Sequence, residues 1–318
     1  MQAIHKRGEP LDASDIRRIT VVGAGLMGHG IALEFALRGY QVTLNARTDE
    51  SLTKAMEQVR KSLARMVSLG MATDDQSRKA AMSMDTHSNL ALAVADADLV
   101  IESVVEDLAI KRHVFRQLDG LCPARTILAS NSSAIMPSAL AQATGRPEKV
   151  IDTHYINPPY LVPLVEVVRG PDTSDETADA VMSFLREIGK RPILIEREVP
   201  GFVASRLQAA LLREALWLVQ NGVASAADVD RAIKDSLGRR WAVAGVFEVL
   251  ELAGWDLLAA IAANLFPHLA DDKEVPDVLA DKVDNDELGV KTGQGFYKWT
   301  PESAEALRQR IAYALTEI

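Results

Sequence analysis

Two residues in this sequence have the types and spacing for proton chemistry. His154 closes the apolar run "KVIDTHYI", and Glu166 sits twelve positions later inside "LVPLVEVV". An acid flanked by valine and leucine on a strand is costly to bury unless a partner meets it. The Pro-rich turn "NPPY" separates the two runs, so it could fold them together and lay Glu166 beside the imidazole. A carboxylate there would orient the ring and raise its basicity. The pair would then be a general base, removing a hydroxyl proton as a hydride departs. The alternative is a structural histidine and a separately paired glutamate, and spacing alone leaves both open. Of the other histidines, His5 lies in the leading segment. His29, His87, His113 and His268 fall on predicted helices or loops, where a solvated or satisfied ring is expected.

A second signal names what would take the hydride. "VVGAGLMG" contains Gly23-x-Gly25-x-x-Gly28. The first glycine permits a tight turn, the second lets a pyrophosphate approach the backbone, and the third lets a helix pack close to the strand. Leu26 and Met27 complete the loop. The following helix would offer free N–H groups and its positive dipole end to the phosphates. A β-branched strand precedes the loop, a helix follows, and "QVTLNA" supplies a second strand, the βαβ context the fingerprint requires.

An NAD site ordinarily ends that second strand with an acid that binds the ribose hydroxyls. Here the stretch is Asn45-Ala46-Arg47-Thr48. Losing the acid removes a repulsion against a ribose 2′-phosphate, and Arg47 adds a guanidinium that pairs well with one. Asn45 and Thr48 can add neutral hydrogen bonds. NADP(H) is therefore the expected cofactor. NAD(H) remains possible if Arg47 merely faces solvent.

The elements that must position these groups follow from hydrophobic periodicity. Helices are predicted at 49–69 and 73–83, a strand in "ADLVIES", and a helix in "EDLAIKRHVFRQLDG". "ARTILASNSS" reads as a strand opening into a serine-rich loop. The two runs around "NPPY" are strands, and "TADAVMSFLREIGK" and "RPILIER" close the pattern as helix and strand. Such alternation implies a mainly parallel sheet with helices on both faces. After Pro200-Gly201 only helical spacing appears, in 202–220, 225–237, 245–263, 275–284 and 301–316, with "KTGQGFYKW" as a turn. The expected organisation is a leading segment 1–15 without structure, a Rossmann-type doubly wound α/β domain 16–199, and an all-α domain 200–318.

The chain has 318 residues, 48% hydrophobic and 25% charged, the balance of an ordinary globular protein. Its net charge is −9, and basic residues nowhere gather in a block, which argues against nucleic acid. No run of about 18 apolar residues suggests a membrane span, and the first residues lack the apolar core of a signal peptide. The single cysteine, Cys122, excludes an internal disulfide framework and a cysteine-based metal site, as suits a cytoplasmic protein. No metal is expected. Cys122 reads as a small buried residue.

Several motifs taken in order resemble the 3-hydroxyacyl-CoA dehydrogenase family. They are "GAGLMGHGIA", "ADLVIESVVEDLAIK", "ILASNSSAIMPS", "HYINPPYLVPLVEVV", "VPGFVASRL" and "VKTGQGFYKW". Within it, "NPPYLVPLVEVV" and "ASRLQAALLREALWLVQNGVAS" are similar to the branch holding lambda-crystallin (L-gulonate 3-dehydrogenase) and bacterial dehydrogenases of small hydroxy compounds. The resemblance implies that His154 is the catalytic base and Glu166 its orienting acid, with Ser133 bonded to the reacting oxygen. It implies that Glu106, Lys111 and Asn131 line the cofactor, and that Asn157 lies beside the cofactor on the substrate side. It further implies a homodimer formed through the helical domain. Two positions depart from the family: Ser205 replaces an asparagine that contacts the substrate oxygen, and Ala46 replaces the acid after the second strand. The expected activity is hydride exchange between NADP(H) and a small 3-hydroxy acid or related polar alcohol. The alternatives are an NAD-dependent L-3-hydroxyacyl-CoA dehydrogenase and a catalytically silent, crystallin-like NADP-binding protein.

Overall fold

The computed structural model describes residues 12–316. Its strands are β1 (Arg18–Val22), β2 (Gln41–Asn45), β3 (Met84–His87), β4 (Leu99–Glu102), β5 (Ile127–Ser130), β6 (Val150–Tyr155), β7 (Leu164–Arg169) and β8 (Arg191–Ile195). They form one eight-stranded sheet in the order β3-β2-β1-β4-β5-β6-β7-β8. Strands β1 to β6 are parallel. β7 runs antiparallel to β6, and β8 follows β7. The order reverses between β1 and β4, the crevice where open α/β sheets bind ligands.

Helices cover both faces, as side-chain alternation shows. Leu99 and Ile101 of β4 join a core with Ile31 and Phe35 of α1 (Gly28–Leu37), Val59 of α2 (Asp49–Ser68) and, beyond α3 (Asp74–Met82), Phe184 of a later helix. Val100, between them, joins the opposite core with Val94 of α4 (Leu90–Val94), Phe115 of α5 (Leu108–Leu121) and Leu140 of α6 (Pro137–Ala141). The later helix is α7 (Asp175–Glu187). Strands with both faces buried read as continuous apolar runs, which is why "ITVV" and "LVI" carry no alternation of their own.

The chain divides into two compact units after Ser205. The change in sequence pattern lies a few residues earlier, near Val199. The first turn of α8 (Ala204–Gln220) is hydrogen-bonded to β7, and this keeps the junction with the sheet. The described residues of the second unit form helices joined by turns: α9 (Ala226–Ala232), a π-helical turn Ile233–Leu237, α10 (Gly238–Trp241), α11 (Val246–Glu251), α12 (Trp255–Leu265), α13 (Asp277–Asp284) and α14 (Pro301–Thr316).

Several expectations need correction. Residues 1–11 of the leading segment lie outside the described residues, but its end is ordered. Asp12 and Asp15 form a reciprocal cap around a short 3-10 turn that buries Ala13 and, just beyond it, Ile16. β3 gave no apolar signal because it is an edge strand with only Met84 buried; His87 lies on it rather than on a helix or loop. The five-residue helices α4 and α6 are too short to show a period. The helix expected over 245–263 is broken at Gly254, whose φ of 88° no helix accepts. Among the described residues, no helix is long and apolar enough to cross a membrane, and no cluster of three His, Cys, Asp or Glu could hold a metal. Cys122 is buried, which pushes its thiol up to about 12.

Candidate active site

The turn 156–163 returns the chain beside itself, and β6 and β7 pair antiparallel with His154 directly opposite Glu166. His154 Nδ1 lies 2.7 Å from Glu166 Oε2. The other oxygen, Oε1, accepts the N–H groups of Val203 (2.9 Å) and Ala204 (2.8 Å). The carboxylate is fully buried. Burial pushes its pKa up, but hydrogen bonds from His154 and from the Ala204 and Val203 backbone outweigh that and hold it below the ordinary value. An ionised acceptor at Nδ1 requires that nitrogen to carry the proton. In the neutral ring Nε2 then carries the lone pair, the state a general base needs. Phe202 closes the back of the ring, with centroids 5.7 Å apart.

The glycine loop lies at the end of β1, against β4. Gly23 has φ 109°, and a Cβ there would stand 2.4 Å from the Ser103 carbonyl oxygen. A Cβ at Gly28 would overlap the Gly23 carbonyl at 1.8 Å. Gly25 faces open space, Leu26 is exposed and Met27 half-buried. Helices α2, α3, α5 and α7 have side-chain caps from Thr48, Thr73, Asp107 and Ser174, whereas α1 has none. An uncapped helix N-terminus beside an open glycine fits a pyrophosphate.

Around the loop, the predicted residues separate into exposed and internal groups. Ser133 is exposed at the tip of the loop after β5, and Asn157 is exposed in the turn after β6. Ser205 is half-buried in the first turn of α8. Glu106 accepts the Ser132 hydroxyl and the Ala134 N–H. Burial raises its pKa, but the Ser132 hydrogen bond and the Lys111 charge hold it below the usual value. Asn131 Oδ1 accepts the Tyr155 N–H at 2.9 Å, tying the end of β5 to that of β6.

Three expectations shift. Lys111, expected to line the cofactor, is buried with Nζ 2.8 Å from Glu102 Oε1. Asn45 Nδ2 donates to the His87 carbonyl at 2.7 Å, bracing β3. Thr48 Oγ1 accepts the Ser51 N–H as the cap of α2. Only Arg47, exposed and without an ion pair among the described residues, keeps its donors free.

Sequence reasoning missed a buried polar row. The register places Glu102, Ser130 and Asp152 abreast on β4, β5 and β6. Ser130 Oγ donates to Glu102 Oε2 at 2.9 Å, and the Ser132 N–H lies 3.2 Å from Asp152 Oδ2. The signal was available: Glu102 in "LVIE" and Asp152 in "VIDT" are acids inside apolar runs, like Glu166.

The comparisons with known proteins agree with this geometry. Residues 18–199 match the 3-hydroxyacyl-CoA dehydrogenase NAD-binding domain, and residues 201–299 match the C-terminal domain of the same enzymes. The chain belongs to the 3-hydroxyacyl-CoA dehydrogenase family. It is an oxidoreductase of the class that acts on CH–OH groups with a nicotinamide dinucleotide. It is similar to 5-formyl-3-hydroxy-2-methylpyridine 4-carboxylate 5-dehydrogenase of Mesorhizobium japonicum, 33% identical over 95% of this chain and 97% of that one. L-carnitine dehydrogenase of Bacillus cereus is 39% identical over 76% of this chain and 73% of its own. The mitochondrial hydroxyacyl-coenzyme A dehydrogenase of Rattus norvegicus is 35% identical over 89% and 91%. Among solved structures, a 5-formyl-3-hydroxy-2-methylpyridine 4-carboxylic acid 5-dehydrogenase, described as an NAD+-dependent dismutase, superposes with a TM-score of 0.88 at 32% identity, covering 95% of this chain and 97% of that one.

The lowered pKa of Glu166 has a testable sign. A carboxylate favoured in the folded state stabilises it fully above the unfolded pKa, and that stabilisation is lost as pH falls through the folded pKa. Over the acid range below pH 4.5, the unfolding free energy of the wild type should fall more steeply than that of Glu166→Gln. Urea titrations across that range check this, and parallel slopes would contradict it.

Proposed function

We propose that this dehydrogenase exchanges hydride between NADP(H) and the 3-hydroxy/3-oxo group of a small hydroxy acid or related polar alcohol. The observation that carries the reading is the buried His154–Glu166 pair, with every Glu166 oxygen occupied and the far side of the imidazole left for substrate. The bound dinucleotide would supply the hydride acceptor or donor. Gly23, Gly25 and Gly28 would let its pyrophosphate approach the uncapped end of α1.

The chain's own residues account for the proton. In the oxidative direction His154 Nε2 takes the hydroxyl proton. Glu166 then faces an imidazolium at 2.7 Å, and its negative charge stabilises that cation. Ser133, and Ser205 in place of the family asparagine, would donate to the reacting oxygen. In reduction the same proton returns from Nε2. Turnover of L-carnitine, L-gulonate or 3-hydroxybutyrate should exceed that of 3-hydroxybutyryl-CoA, and His154→Ala should lower kcat by about 10³-fold. The acyl-CoA reading has its own support in the groove between α2 and α3, lined by Arg60 and Arg78. Preference for the CoA ester would favour that reading, and tight dinucleotide binding without turnover would favour a silent protein.

The case for NADP(H) rests on Arg47 and the missing acid at Ala46. The case for NAD(H) is the NAD-binding family domain and the NAD+-dependent relative. Calorimetric titration separates them. Ala46→Asp/Arg47→Ala should weaken NADP+ by about tenfold or more and strengthen NAD+. Tighter binding of NAD+ than NADP+ to the wild type would sink the phosphate reading.

We also read the protein as a cytoplasmic homodimer associated through its helical unit. Beyond Arg206, Leu216, Ala270, Ala304 and Ala312 are the only buried apolar residues among the described ones, while Leu252, Phe247, Phe266 and Leu207 are widely exposed. About a hundred residues with so little core need a covering surface. Light scattering should give twice the 34.6 kDa chain mass; a monomer at micromolar concentration would refute this.

A further inference from the structure

A second buried charge pair lies away from the His154–Glu166 couple. Lys190, at the junction of α7 and β8, and Glu34, in the middle of α1, are each almost wholly enclosed. Lys190 Nζ donates to the carbonyl oxygens of Pro159 (2.5 Å) and Val162 (3.1 Å) and stands 3.4 Å from Glu34 Oε2. The next residue, Arg191, donates its N–H to the Pro163 carbonyl at 2.8 Å. Three carbonyls of the turn between β6 and β7 are therefore taken by two consecutive residues. One helical turn before Glu34, a Cβ at Gly30 would come 2.7 Å from Pro159 Cγ. The turn is thus seated directly on α1.

Satisfying two carbonyls does not require a cation. Burying an ammonium is expensive and is sustained only by a paired charge and well-made hydrogen bonds. Burial pushes the Lys190 pKa down and the Glu34 pKa up, and each charge opposes the other's shift. What the ammonium adds is three donors from one atom, enough to join the turn to α1 in a single contact. Helix α1 carries the glycine loop at its start, and the turn carries Asn157 at its start and leaves β6 just after His154.

We infer that Lys190, anchored by Glu34, is a positioning residue that clamps the 156–163 turn onto α1 and thereby sets Asn157 and His154 against the nicotinamide half of the dinucleotide. This rests on the dehydrogenase reading for the place of the nicotinamide. The adenosine and pyrophosphate half, bound at the glycine loop, does not depend on the clamp.

The test compares a whole dinucleotide with its truncated half in the full-length protein. NADH and ADP-ribose, and in parallel NADPH and 2′-phospho-ADP-ribose, are titrated against the wild type, Lys190→Met, Lys190→Arg, Glu34→Gln and Gly30→Ala. In Lys190→Met the Kd of the reduced dinucleotide should rise about tenfold, while that of the truncated ligand stays within about twofold. Lys190→Arg, which keeps charge and donors, should recover part of the loss. Gly30→Ala, which pushes on Pro159 and leaves both charges in place, should reproduce the pattern. Equal losses for both ligands, or no loss in a folded variant, would overturn the assignment. If Lys190→Met does not fold by circular dichroism, Gly30→Ala and Glu34→Gln decide it by the same criterion. The ratio is a binding measurement, so it holds or fails independently of whether any hydroxy substrate turns over.

Discussion

The structure depends on one buried carboxylate. Glu166 is enclosed on every side, and an isolated charge there would cost more than a domain can supply. It survives because three donors converge on it: the His154 ring and the N–H groups of Val203 and Ala204. Those donors come from different parts of the chain, so satisfying Glu166 fixes β6, β7 and the start of α8 together. The change of direction in the sheet comes from the connection between those two strands. Parallel strands need a crossover of a dozen or more residues, whereas the 156–163 turn is too short for one. β7 must therefore run back along β6, and β8 follows β7. The register is equally constrained, since a slip of one residue would turn Glu166 to the other face.

The face that carries His154 and Glu166 is also where the sheet keeps its other charges. Glu102 and Ser130, at the ends of β4 and β5, lie abreast of Asp152 within β6, and Lys111 of α5 reaches in to pair with Glu102. That leaves one acid beyond the available cation. Burial, only partly relieved by Lys111, drives the Asp152 pKa well above the usual range. The raised pKa favours the neutral carboxyl, which lowers the cost of enclosing it. Its Oδ1 has no partner among the described residues, a position a neutral carboxyl tolerates better than an ion. The row holds the Ser132 backbone, and Ser132 in turn accepts the Ile135 N–H at 2.8 Å and donates to Glu106. The loop that presents Ser133 is thus organised by charges lying beneath it.

Much of this was legible in the sequence wherever a residue type was expensive in its local setting. Glu166 among valines demanded a partner, and the partner is the nearest histidine. The glycines of "GAGLMG" sit where a Cβ would strike backbone. The unread parts have physical reasons as well. β3 is a polar edge strand, and α4 and α6 are shorter than two helical turns, so none carries a period. Glu34 and Lys190 gave no signal, because their meeting depends on a turn that lies over a hundred residues beyond Glu34 in the chain. Lys111 was placed along the cofactor by resemblance, and motif position does not report burial: its ammonium pairs with Glu102 and Glu106.

The stretch "LNART" shows how structural duties narrow the positions at which cofactor choice can vary. Asn45 looks available for a ribose or phosphate, but its amide braces β3 through the His87 carbonyl. Thr48 looks equally available, but its hydroxyl starts α2. Changing either would disturb the sheet edge or the helix before it altered a ligand contact. Ala46 and Arg47 have no such duty. Ala46 contributes only a methyl group to the core edge, and Arg47 extends into solvent beside the glycine loop's own strand partner. Exchanging the exposed cation at the second position would cost the fold little, whereas an acid at the buried first position needs a partner such as ribose hydroxyls to meet it. Selection on the dinucleotide would therefore act at these two residues.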